Sequence, residues 1–219
     1  MKFIVDDWGL SREINQAVLR LAQRDVLFGV SLLVDSDHCD YLLEELLGFS
    51  HIEIGLHLNF TTVFQGKKRF SLPFSKSKME SQYDSLLLKT QRVNYIDGHH
   101  HVHLWPGIAS KAIELAQEKD IKFRVLNDSD HFGSFLLSKY FKYFLKKPEH
   151  FFYCHYLTAG NLGNKRDFRK KMVSCKISPL MIHIAENKNL TPDYVDPNDS
   201  IYKMRLEQQR QILEHLDAG

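Results

Sequence analysis

Short runs of β-type residues, separated repeatedly by stretches with helical spacing, constrain this chain more than any other feature of it. Phe3-Ile4-Val5 reads as a strand, and Ser11 can cap a helix whose apolar positions Ile14, Val18 and Leu21 share one side. Val26 to Val34 is a near-continuous apolar run, the pattern of a strand buried on both faces, and a helix over Tyr41 to Leu47 follows with Gly48 at its end. Ile52, Ile54, Leu56 and Leu58 then alternate with Glu53, Gly55, His57 and Asn59, which puts His57 on the face opposite the apolar one. Thr61 to Lys78, rich in Lys, Ser, Gly and Phe with weak periodicity, is expected to be a long, partly ordered loop beside the strand ends. A helix over Met79 to Leu88, a strand at Tyr95 to Asp97, a helix from Pro106 to about Lys119 and a strand at Ile121 to Leu126 continue the series. Beyond them the pattern predicts helices over Phe135 to Phe144, Lys165 to Val173 and Ile201 to Leu216, and strands at Phe151 to Cys154 and Leu180 to Ile184. Such alternation implies one α/β domain over residues 1–219 with a parallel sheet or barrel, whose chemistry gathers at the C-terminal ends of the strands.

Composition narrows the partners. The 29 basic residues nearly balance the 27 acidic ones, so the chain lacks the field that nucleic-acid or anionic-membrane binding needs. No apolar run approaches the ~20 residues of a membrane span, and Phe3-Ile4-Val5 is too short for a signal peptide, so a cytoplasmic protein is expected. Three scattered cysteines, Cys39, Cys154 and Cys175, form neither a disulfide framework nor a zinc ribbon.

The polar residues at the strand ends are Asp6 and Asp7, His57, Asp97 with His99 to His103, and His183. Adjacent residues on a strand point in different directions, so of Asp6 and Asp7 one can bind a cation while the other serves as a base. His99-His100-His101-Val102-His103 holds four of the twelve histidines in five positions, a metal-binding composition. In an extended segment His99, His101 and His103 would recur every ~6.6 Å, too far apart for all three to reach one ion at bonds of ~2.1 Å, so one or two of them ligate. With His57 and an aspartate they make a two-histidine, one-carboxylate set. Trp8, Phe60, Phe64 and Trp105 are aromatic groups that could stack on a ring-shaped substrate or fill core.

The order Val5-Asp6-Asp7-Trp8-Gly9-Leu10-Ser11, Ile54-Gly55-Leu56-His57-Leu58, Ile96-Asp97-Gly98-His99-His100-His101-Val102-His103-Leu104 and Leu180-Met181-Ile182-His183 resembles the YdjC-like carbohydrate deacetylases, which include the chitooligosaccharide deacetylases and are related to the polysaccharide deacetylases. The resemblance implies a TIM-like, partly irregular (β/α) barrel that removes N-acetyl groups from amino sugars or short N-acetylglucosamine oligosaccharides. It implies that Asp7, His57 and His99 hold a divalent ion, zinc or magnesium, that Asp6 is the general base with Arg124 beside it, and that His183 protonates the leaving amine. Trp8, His101, His103 and Trp105 are then expected to meet the sugar, and a homodimer is the family tendency. The chain departs from the family pattern at Trp8, usually phenylalanine, at Gly98, usually serine, and after His183, where Ile184-Ala185-Glu186 stands in place of Pro-Gly. The alternatives are a metal-dependent amidase or esterase acting on another acyl group, and a non-catalytic sugar- or metal-binding protein.

Overall fold

The computed structural model describes residues 2–64, 67–70, 74–126, 150–156, 179–183 and 210. Strands β1 (Phe3–Trp8), β2 (Leu27–Leu32), β3 (Glu53–Leu58), β6 (Tyr95–Gly98), β7 (Lys122–Leu126), β8 (Phe151–Tyr156) and β9 (Leu180–Ile182) pair in parallel and close into a barrel, with β9 joining β8 to β1. Helices α1 (Arg12–Ala22), α2 (Leu43–Leu47), α3 (Lys76–Thr90) and α4 (Ala109–Glu118) lie between strands in the chain. Ile14, Ala17, Val18 and Leu21 of α1 bury one side of that helix, as their spacing predicts, and Ser11 caps it by accepting from the Ile14 N–H at 3.3 Å. The expected α/β barrel is therefore the fold, and the strand interiors are buried on both faces because helices cover the outside while side chains fill the inside.

Three expectations from the sequence need correction. The stretch after β3 carries an antiparallel hairpin, β4 (Thr61–Phe64) with β5 (Lys67–Phe70), where a long loop was expected; β-type residues there pair locally although no core-facing periodicity announces them. Helix α4 begins at Ala109, three residues after Pro106, because the Trp105 carbonyl first accepts from the Ile108 and Ala109 N–H groups in a turn. The histidine run is not extended: over His99–Leu104 short 310 turns meet at a kink, where His100 and His101 take left-handed, non-helical backbone angles with φ of 54° and 55°. The expected helices over 135–144, 165–173 and 201–216 lie outside the described residues, apart from residue 210, which is helical.

The barrel interior is shaped by register. Ser31, Gly55 and Tyr95 are neighbours across β2, β3 and β6, and the Tyr95 ring leans over Gly55 until its hydroxyl lies 2.9 Å from the Ser31 Oγ. A Cβ on Gly55 would sit 2.1 Å from that ring, so only glycine leaves room for the crossing. One layer nearer the C-terminal ends, His57 and Asp97 are register partners.

Candidate metal centre and active site

Asp6 and Asp7 both point into the barrel, which an ordinary strand forbids. Between Val5 and Trp8 strand β1 gains one residue relative to β2, because Val5 pairs with Val30 and Trp8 with Leu32. Asp7 absorbs this bulge with φ at 71°, a left-handed conformation that aspartate tolerates better than most residues. The expectation that the two carboxylates diverge is thereby corrected: the bulge turns them toward one site, and both are fully buried. The following loop is pinned by Gly9, at φ 95°, and by Asn15, whose amide accepts from the Gly9 N–H and donates to the His38 and Tyr41 carbonyls.

Asp7 Oδ1 is the meeting point of two histidines. His99 Nδ1 lies 2.7 Å from it and His57 Nε2 3.2 Å, with the two rings edge-on at 5.5 Å between centroids. One donor atom from each of Asp7, His57 and His99 falls within 4.8 Å of the others, and all three residues are buried. Ligands on bonds of ~2.1 Å in a tetrahedron are ~3.4 Å apart, so this spacing suits a small divalent ion, and imidazole with carboxylate suits zinc or a similar metal. Charge argues the same way. Among the described residues, three buried carboxylates, Asp6, Asp7 and Asp97, face one buried guanidinium, Arg124. A divalent cation would cancel the difference, and uncompensated buried charge is costly.

A second grouping, Asp6 with His57 and Asp97, also brings donor atoms together. Its cation is already present: Arg124 Nη1 reaches Asp6 Oδ1 at 2.5 Å and Asp97 Oδ2 at 2.8 Å, while Nη2 reaches Asp6 Oδ2 at 2.7 Å. The Asp7, His57 and His99 set is thus the one left for a metal.

The charges set the proton affinities. Burial alone would raise the Asp6 pKa, but the Arg124 charge and its hydrogen bonds overcome this and hold it far below the usual carboxylate range. Burial alone would lower the His57 pKa, yet the charges of Asp97 and Asp6 push it up to about 10. His183 stands at the mouth, 14% exposed, with Nε2 4.0 Å from Asp6 Oδ2 and 3.7 Å from Asp7 Oδ2.

The expected sugar contacts fare differently. Trp8 is fully buried in the core and its indole N–H donates to the Cys39 carbonyl at 2.9 Å, which leaves no ring face for a ligand; Phe60 is likewise core. His103 is corrected as well: it is fully buried, its ring 5.4 Å from Phe123, and its Nε2–H donates to the Arg124 carbonyl at 3.2 Å. Burial first, then the Arg124 charge, lowers the His103 pKa well below the ordinary value and that of His101 to about 3, so both rings are neutral. Trp105, 39% exposed, keeps a surface available, and Phe64 has no described side chain. Ser31 and Tyr95 are site residues that the sequence does not mark out, and Asp97 stands in it as a strand-end carboxylate without a role. Their only signal was position on strands facing a polar interior, which is meaningless until the register is known.

Comparison with known proteins agrees with this architecture. The crystal structure of an Enterococcus faecalis V583 protein, provisionally named for cellobiose-phosphate cleavage, superposes with a TM-score of 0.69 at 15% identity, covering 100% of this chain and 95% of that one. The chitooligosaccharide deacetylase of Escherichia fergusonii is 26% identical over 152 residues, 57% of this chain and 60% of its own length. The carbohydrate deacetylase of Oceanobacillus iheyensis is 21% identical over 141 residues, 54% of this chain and 61% of its own. The chain thus matches about 60% of the length of these curated relatives. Residues 3–219 match the YdjC-like protein family, and the chain belongs to it.

Proposed function

We propose that this chain is a metal-dependent carbohydrate deacetylase that hydrolyses the N-acetyl group of amino sugars or short N-acetylglucosamine oligosaccharides. The observation that carries the reading is the convergence of Asp7, His57 and His99 on one buried point beside Asp6, at the C-terminal mouth of the barrel. Relatives named as carbohydrate and chitooligosaccharide deacetylases support the substrate class.

In this reading Asp7 Oδ1, His57 Nε2 and His99 Nδ1 would hold a zinc or magnesium ion. When bound, such an ion lowers the pKa of water and polarises the amide carbonyl. Asp6 then accepts the proton of the attacking water. The Arg124 charge, which holds its pKa below the usual carboxylate range, keeps it ionised and ready to accept. Arg124 keeps Asp6 in place through both carboxylate oxygens. His183, 4.0 Å from Asp6, protonates the departing amine as the carbon–nitrogen bond breaks, leaving acetate and a free amino sugar. Among the described residues, Trp105 is the aromatic candidate left for the sugar ring.

The test is acetate release from N-acetylglucosamine and its oligomers, before and after chelation and with zinc or magnesium restored. Loss on chelation and recovery with metal is the expected result. Turnover unaffected by exhaustive chelation would overturn the metal mechanism, and turnover confined to other acyl amides or esters would overturn the substrate.

A further inference from the structure

Asp97 lies at the centre of a buried chain of hydrogen bonds that the mechanism above does not use. Its Oδ1 is 2.5 Å from His57 Nδ1, and its Oδ2 receives Ser31 Oγ at 2.5 Å and Arg124 Nη1 at 2.8 Å. A carboxylate only accepts, so the Ser31 hydroxyl proton is committed to Asp97, and the Tyr95 hydroxyl 2.9 Å away must in turn donate to Ser31. Burial, then the Asp97 charge, raises the Tyr95 pKa well above its ordinary value, which keeps that donor protonated.

We infer that Asp97 is a positioning residue which, held by Ser31 and Arg124, fixes the proton of His57 on Nδ1 and so presents Nε2 to the metal position beside Asp7. The inference rests on the metal site proposed above. Its reason is geometric. Asp97 and His57 are register partners on adjacent parallel strands, so their side chains stand together on the interior face. Ser31 and Arg124 occupy Oδ2 and turn Oδ1 to the imidazole. A histidine whose Nδ1–H is bound to a carboxylate has one tautomer open to it when neutral, with the lone pair on Nε2. The same Arg124 nitrogen that touches Asp97 also touches Asp6, so one carboxylate aligns the metal ligand and steadies the partner of the base.

The experiment is zinc affinity, measured against a competing chelator, together with 15N NMR of the His57 ring, in the wild type and in Asp97→Asn. The inference predicts zinc affinity 10- to 100-fold weaker in the variant, the usual effect of removing such a partner. It also predicts that a downfield His57 Nδ1–H signal, seen in the wild type with or without zinc, is lost in the variant. A folded variant with zinc affinity within twofold of the wild type and an unchanged Nδ1–H signal would overturn it. If the variant does not fold, the wild-type spectrum decides: a proton on Nε2 with Nδ1 bare in the zinc-loaded protein refutes the inference. If the wild type binds no zinc or other divalent ion, the metal reading fails and this inference falls with it, whereas zinc bound equally well by the wild type and Asp97→Asn sinks the inference alone.

Discussion

Arg124 grips Asp6 with both terminal nitrogens, Nη1 to Oδ1 at 2.5 Å and Nη2 to Oδ2 at 2.7 Å, and neither side chain is exposed. This fork makes Asp6 separable from the proposed metal ligands. Asp6→Asn keeps the shape and leaves Arg124 its contact with Asp97, so metal affinity should stay near the wild-type value while acetate release falls at least 100-fold. His57→Ala should lose the ion instead. Calorimetric metal titration beside an acetate assay checks the division, and equal loss of metal in both variants would contradict it.

Asp7 combines a proposed ligand with a strained backbone, φ 71°. Replacing it by glycine or by alanine removes the carboxylate equally, but only alanine retains the steric cost of the left-handed region, about 1 kcal/mol. Urea unfolding in chelator should find Asp7→Gly more stable than Asp7→Ala by about that amount. Equal stabilities would mean that the bulge relaxes once the carboxylate is gone.

Gly55 is the floor on which Tyr95 rests. A methyl group there would stand 2.1 Å from the ring, against 3.0 Å for the same change at Gly29. Gly55→Ala should therefore destabilise the barrel by about 1–3 kcal/mol, the range for overpacked cores, and Gly29→Ala by less. Denaturation midpoints with unchanged m-values are the measurement, and the reverse ranking would refute the packing argument.

His103 is buried neutral, its pKa well below the ordinary 6.5. Below pH 6.5 the unfolded chain takes up a proton at this residue and the folded chain does not, so stability falls as pH drops, by up to about 1.4 kcal/mol per unit for this group. Above pH 6.5 the contribution is constant. His103→Gln removes the titration and keeps a donor for the Arg124 carbonyl. The stability gap between wild type and variant should narrow by about 1.4 kcal/mol between pH 7.5 and 5.5; a constant gap would mean that His103 takes up its proton as readily in the folded protein as in the unfolded chain.

Much of the barrel was readable in the residues. Apolar runs in Phe3–Val5 and Val26–Val34 and the spacing of Ile14, Val18 and Leu21 mark strands and a helix because burial on two faces, or on one stripe, leaves a period in the sequence. The β4–β5 hairpin left no such trace, since its pairing is local. The site divided in the same way. Asp6, Asp7, His57 and His99 are polar groups at strand ends, and that placement alone nominates them in an α/β fold. Trp8 and His103 were misjudged because a residue's composition class says nothing of which side of a bulge or a 310 turn it leaves on.

By itself, the sequence determined the alternation of strand and helix, hence a parallel sheet or barrel with polar groups at its C-terminal strand ends, the barrel being what the family resemblance implies, and the set of residues from which a metal site could be drawn. Only the tertiary structure decided which of them meet. The one-residue bulge at Asp7 turns two adjacent carboxylates inward, the left-handed pair His100 and His101 leaves His99 at Asp7 while His103 enters the core, and the β3–β6 register sets Asp97 beside His57. The physical reason is that strand register and local handedness follow from the packing of the closed barrel as a whole, where a shift of one residue would exchange the inner face for the outer.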